Sequence, residues 1–96
     1  FVHEAALRAE ATTLAASMAF LNAAARLVPV PDGVQIYDPV AHVITRRAGY
    51  ERAQLIVQSH SRPALQAFLA EWSSALPGIA PNGVRWHLDV DPIEFD

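Results

Sequence analysis

From Val84 to Asp91, apolar and polar residues alternate without a break: Val84, Trp86, Leu88 and Val90 against Arg85, His87, Asp89 and Asp91. Successive side chains of a strand point to opposite faces, so this stretch is a strand with one apolar face and one charged face. Such a strand belongs to a sheet that is packed on one side and wet on the other. Pro92 ends the ladder because it has no N–H to donate.

The remaining elements are read against that strand. Leu65, Phe68, Leu69, Trp72 and Leu76 recur at helical spacing behind Ser61, an N-cap residue type, and Pro63, which is tolerated in a first turn. Pro77-Gly78 closes this helix, and Pro81-Asn82-Gly83 turns into the last strand. Leu14, Met18, Leu21, Ala25 and Val28 form a second apolar stripe, which places a helix over about Thr13–Leu27. Before the threonines, Phe1, Ala5 and Leu7 share one parity while Glu4, Arg8 and Glu10 share the other; by these residues alone, strand and helix both stay open.

Pro29-Val30-Pro31-Asp32-Gly33 is a turn, and Val34-Gln35-Ile36-Tyr37 a short strand that Asp38-Pro39 interrupts, as at a sheet edge or bulge. Val43-Ile44-Thr45 is extended, residues 46–52 read as a hairpin tip around Gly49, and Gln54–Gln58 is a β-branched-rich strand. The order β-α-β-β-α-β predicts an α+β domain of the split βαβ type. Both helices would cover one face of a four-stranded sheet, its first and third strands central and its last strand beside the first. The open face would carry Arg8, Gln54, Gln58, Arg85 and His87, with Tyr37 towards an edge.

Composition narrows the function classes. Ninety-six residues, 52% hydrophobic and 18% charged, describe one ordered domain, and the start at Phe1, inside patterned sequence, reads as a piece of a longer protein. There is no Cys, so disulfides and thiolate-bound zinc are excluded within this stretch. A net charge of −3 gives no general affinity for phosphate backbones, so nucleic-acid binding would need a local patch. No apolar run is long enough to span a bilayer.

Trp86-His87-Leu88-Asp89-Val90-Asp91-Pro92-Ile93-Glu94 resembles the closing signature W-x-L-D-V-D-P-x-E of PriA, the primosomal protein N-prime family of replication-restart helicases. Further matches follow in order: Ala6–Ala11 is similar to its A-L-L-R-A-E-A segment, Arg46–Leu55 to its R-R-x-G-x-x-R-x-Q-L hairpin, and Ser61–Leu65 to its S-R-x-x-L helix start. The resemblance implies a C-terminal domain of a DNA helicase with a fold like a small-subunit ribosomal protein, and tips residues before Thr12 towards β. One departure is Tyr37-Asp38-Pro39-Val40, where the family more often has Gly before Pro.

The resemblance further implies that ATP with Mg and cysteine-bound zinc belong to other parts of the full-length protein and that this fragment holds no cofactor. The partners it implies are branched or single-stranded DNA and the helicase core of the same chain, with single-stranded DNA-binding protein and other primosome proteins. A cytoplasmic, nucleoid-associated location goes with these, and no membrane.

Two groups of residues are candidates for contact. Arg46, Arg47 and Arg52 at the hairpin can reach phosphates with several donors each, and Tyr50 can stack on an exposed base. A solvated hairpin, or one ion-paired to a neighbouring lobe, is the plain alternative. Arg8, Arg85, His87, Asp89 and Asp91 on the open face form the second group, an interdomain or secondary DNA surface, with docking against another domain the favoured use. Asp89 and Asp91 supply too few oxygens for a hard cation, and His3, His42, His60 and His87 lack paired metal-ligand spacing. No serine sits in a nucleophile context, so no catalytic or metal site is expected. The expectation is thus a DNA-binding or architectural domain for stalled forks. A docking module that never touches DNA is the main alternative, and a small-molecule regulatory domain of ferredoxin-like shape stands on fold alone.

Overall fold

The computed structural model of the chain describes residues 2–47 and 49–90, without the side chains of residues 43–47. Its elements run β1 (His3–Ala11), α1 (Leu14–Ala25), β2 (Val34–Ile36), β3 (Val40–Arg47), β4 (Tyr50–Ser59), α2 (Arg62–Ala75) and β5 (Arg85–Val90), with a short 3₁₀ turn at Leu76–Gly78. The ladder order is β2-β4-β1-β5, with β3 also paired to β4, and every pairing is antiparallel. The split βαβ arrangement is therefore present, with β1 and β4 central and β5 beside β1.

The sheet has five strands and not four. Asp38-Pro39 divides the expected edge strand into β2, which pairs with the Val57–Ser59 end of β4, and β3, which pairs with its Tyr50–Gln54 end. Proline has no N–H for the ladder, so the break falls where the sequence places it. Within the stretch before Thr12, His3–Ala11 is a continuous strand.

Thr13 and Ser61 cap the two helices: their hydroxyls accept from the N–H groups of Ala16 and Ala64 at 3.1 and 3.2 Å. On α2 the buried residues are Leu65, Phe68, Leu69 and Trp72, the stripe read from spacing. On α1 they are Ser17, Phe20, Leu21 and Ala24, so the packed face is shifted from the expected stripe, of which Leu21 is fully buried while Leu14, Met18, Ala25 and Val28 are partly buried against the core. In so Ala-rich a helix, hydropathy hardly distinguishes the faces, and Phe20 decides which one packs. Ser17 is fully buried because its hydroxyl donates to the Glu51 carbonyl at 2.8 Å.

One parity of the sheet joins this core: Ala5, Leu7 and Ala9 of β1, and Ala53, Leu55 and Val57 of β4. Trp72 is buried against them and donates from Nε1 to the Ala24 carbonyl at 2.9 Å, tying α2 to the end of α1. On the edge strand β5, Trp86 and Leu88 are half-buried and Val90 is exposed, so the alternation holds but the burial is partial. The other parity is left open, and the helices do not cover it.

Candidate nucleic-acid interface

The antiparallel registers decide which polar residues become neighbours. Across β4, β1 and β5, Arg52 opposes Glu10 and Glu10 opposes Arg85; one row on, Gln54 opposes Arg8 and Arg8 opposes His87. The result is a compact charged patch at the hairpin end of the open face. Glu10 sits between two guanidiniums, 2.5 Å from Arg85 Nη2 and 3.9 Å from Arg52 Nε. Arg8 Nη1 donates to Asp89 Oδ2 at 2.7 Å, and His87 Nε2 lies 3.9 Å from the same oxygen.

The opposite end of the face has a different character. There Gln58 donates to Glu4 at 2.6 Å, and the Tyr37 hydroxyl lies within hydrogen-bond distance of Gln58 and Gln35. The guanidiniums described on this face thus lie in the half nearest β3–β4.

Residues 46–52 differ from the expected loop. β3 runs to Arg47 and β4 starts at Tyr50, with Arg46 opposite Glu51 and Arg47 opposite Tyr50, so the strands pair right up to the reversal. Gly49 has φ +84°, a conformation open to glycine at little cost, and that permits so tight a turn. Arg46 and Arg47 are thus strand residues by backbone; their side chains, like the whole of Asp91, lie outside the described residues. The Tyr50 ring is not free at the tip, because the Arg85 guanidinium stacks over it at 4.2 Å.

The structure thus merges residues that were two groups in sequence: Tyr50 and Arg52 of the first adjoin Arg8, Arg85, His87 and Asp89 of the second. It adds Glu10 and His42, which sequence reasoning left out of the site. Glu10 had a signal, since it shares the parity of Arg8 on β1. His42 had none, because it sits at an irregularity: Ala41 opposes Ala53 and Arg46 opposes Glu51, so the four residues between them face Arg52 alone. Such a bulge re-aims side chains. His42 joins Arg8, Glu10, Arg52, Arg85 and His87 around a cavity of about 190 Å³. Burial and the neighbouring Arg52 and Arg8 cations hold its imidazole below the usual histidine range.

Among the described residues, no group of three or more His, Asp or Glu is placed to hold a metal ion, and no helix is long and apolar enough to cross a membrane. The fold is shared with proteins of unrelated sequence. A de novo designed protein, Foldit4, superposes with a TM-score of 0.67 at 6% identity, covering 95% of this chain and 97% of the design. An aminobenzoyl-glutamate utilization protein from Klebsiella pneumoniae gives 0.56 at 14% identity, and a hydantoinase/carbamoylase family amidase from Burkholderia ambifaria 0.58 at 13%. The chain is covered to 93% and 94% in these two but spans only 27% of either protein. At such identities the likeness is one of fold alone.

Sequence supplies the class. The chain belongs to the family of the primosomal protein N C-terminal domain, which matches it over residues 1–93. That is the family whose signature runs through Trp86–Glu94, and it associates the chain with primosomes and replication restart.

Proposed function

We propose that this domain is the part of a primosomal helicase that holds branched or single-stranded DNA at stalled forks, using the hairpin half of its open sheet face. The observation that carries the reading is the convergence of Arg8, Arg52 and Arg85, from three strands, on one cavity in a chain that is otherwise net negative. Arg46 and Arg47 lie on the strand beside Arg52, opposite Glu51 and Tyr50, at the same end of the sheet. Contacts of this kind go to phosphates and follow shape, so the domain would distinguish forks by geometry and not by base sequence. Tyr50 would stack on a base only with Arg85 displaced or by its other ring face. ATP hydrolysis with Mg, and zinc binding, would belong to other domains of a longer protein.

Binding of the chain to forked, single-stranded and duplex DNA across a salt series tests this. Replacing Arg46, Arg47 and Arg52 by Ala should weaken fork binding and flatten its salt dependence. No fork binding at low salt, or no effect of the triple replacement, overturns the reading.

A second reading has its own observation. Arg8 and Arg85 are each already paired with a carboxylate, as on a surface that docks against a neighbouring domain such as the helicase core or another primosome protein. In that case the triple replacement would disturb assembly and leave DNA affinity unchanged.

A further inference from the structure

The cavity on the open face has an unsatisfied wall. Arg8 Nε and His42 Nε2 are buried from solvent and have no hydrogen-bond partner among the described residues. Arg8 is held by Asp89 through Nη1, which leaves the Nε–H of the same guanidinium unused. Buried polar atoms are nearly always paired, so two orphans in one cavity wall call for an explanation. An Nε–H can only donate, so its missing partner must be an acceptor.

Charge points the same way. Three guanidiniums, those of Arg8, Arg52 and Arg85, share two carboxylates, Glu10 and Asp89, and the Arg52–Glu10 contact is a loose 3.9 Å. The groups facing His42 are Arg52 from β4, Arg8 and Glu10 from β1, and Arg85 and His87 from β5, with Asp89 behind Arg8. Among the described residues, the three guanidiniums exceed the two carboxylates by one unit even with both imidazoles neutral. The lining polar groups of Arg8, His42 and Arg52 come from β1, β3 and β4, three different strands, and so converge from different directions. A tetrahedral oxyanion meets that demand better than a planar carboxylate, which pairs best with a single guanidinium fork.

We propose that this cavity binds one phosphate group between Arg8 Nε, His42 Nε2 and Arg52, and that binding draws a proton from solvent onto His42. The inference rests on the reading of this face as DNA-binding, and deepens it by naming a phosphate seat whose affinity depends on pH. Burial and the nearby Arg52 and Arg8 cations disfavour the charged imidazole in the free protein. An anion placed among those cations reverses the local field and makes the imidazolium the favoured form. The phosphate belongs either to the backbone or to a strand end, and the two share this chemistry.

Nuclear magnetic resonance of the imidazole nitrogens, with inorganic phosphate titrated at constant ionic strength, tests the seat. Saturation should move the His42 midpoint upward by about one pH unit, equivalent to about tenfold tighter binding to the protonated form. Arg8→Lys keeps the charge but removes the Nε–H, and should abolish the shift with an unchanged circular dichroism spectrum. His42→Gln should lower the ratio of phosphate affinity at about pH 6 to that at about pH 8, leaving only the change that the ionisation of phosphate itself causes. A His42 midpoint that phosphate leaves in place, or moves equally in Arg8→Lys, overturns the inference whether or not DNA binds.

Competition then assigns the source. Displacement of phosphate by a 5′-phosphorylated oligonucleotide but not its 5′-hydroxyl form supports a seat for a strand end, and displacement by both supports one for the backbone. Displacement by neither, with phosphate still shifting His42, upholds the seat and overturns the reading of the face as DNA-binding.

Discussion

Arg8 and Asp89, 81 positions apart, meet at 2.7 Å between Nη1 and Oδ2 on the open side of the β1–β5 ladder. In register Arg8 faces His87 and Asp89 faces Ala6, so the pair is a diagonal one, reaching along the face and not straight across it. Asp89 thereby neutralises part of the patch that would meet DNA.

Asp89→Asn should therefore strengthen fork binding, by about two- to fivefold at low salt and less as salt rises, because screening removes the unfavourable field of the carboxylate. Both side chains are more than a third exposed, so stability should change by no more than about 1 kcal/mol. Anisotropy titrations beside chemical denaturation measure both. Weaker binding in the variant would favour a docking role for the pair.

The stack of Arg85 on Tyr50 spans the end of β1, since Ala11 is the last β1 residue in register, opposite Glu51. A double-mutant cycle of Tyr50→Leu and Arg85→Gln should give a coupling of about 0.5–1 kcal/mol in unfolding free energy, the worth of an exposed cation–π contact. Coupling near zero would mean that the stack does not persist in solution.

His42 gives the stability a pH dependence. Its folded-state affinity for protons is below that of an unfolded histidine, so the unfolded chain binds the extra proton first as pH falls. Stability should accordingly be intact above about pH 6.5 and decline below it, down to the folded-state midpoint, through this residue. His42→Gln should flatten that limb in thermal melts recorded across the range. An unchanged limb in the variant would assign it to other groups.

Trp72 joins the two helices through its core packing and its bond to the Ala24 carbonyl. Trp72→Ala should cost about 3–5 kcal/mol, close to unfolding a domain of this size. Trp72→Phe keeps much of the volume and removes the indole bond, while the Ala24 carbonyl still accepts from the Leu27 N–H at 3.2 Å, so it should cost about 0.5–1.5 kcal/mol by denaturant melts. No measurable cost for Trp72→Phe would show that the indole bond adds nothing to the packing of residue 72.

These particulars also show how far the residues alone led. The α2 stripe was legible because Leu65, Phe68, Leu69 and Trp72 stand out against polar neighbours, and Thr13 and Ser61 marked both helix starts. The face of α1 was legible only in part: Leu21 was on the expected stripe, but the other alanine-rich positions gave little contrast around Phe20, and Ser17 is buried by a hydrogen bond that hydropathy does not register. Asp38-Pro39 announced a break but not that both halves would pair with β4 as separate strands. Of the site, Arg8, Arg85 and His87 were placed on the open face by alternation. Their union with Tyr50 and Arg52 depends on register across three strands, and His42 on a bulge, neither of which a local pattern encodes.

The most direct measurement of the central claim is amide chemical-shift mapping of the chain titrated with forked DNA. The account predicts perturbations concentrated at Arg8, Glu10, His42, Tyr50–Arg52 and Arg85–His87, fading towards Glu4, Gln58 and Tyr37 and absent from the exposed sides of α1 and α2. Perturbations centred on the helices, or none at a salt concentration where longer primosomal proteins hold the same fork, would contradict it.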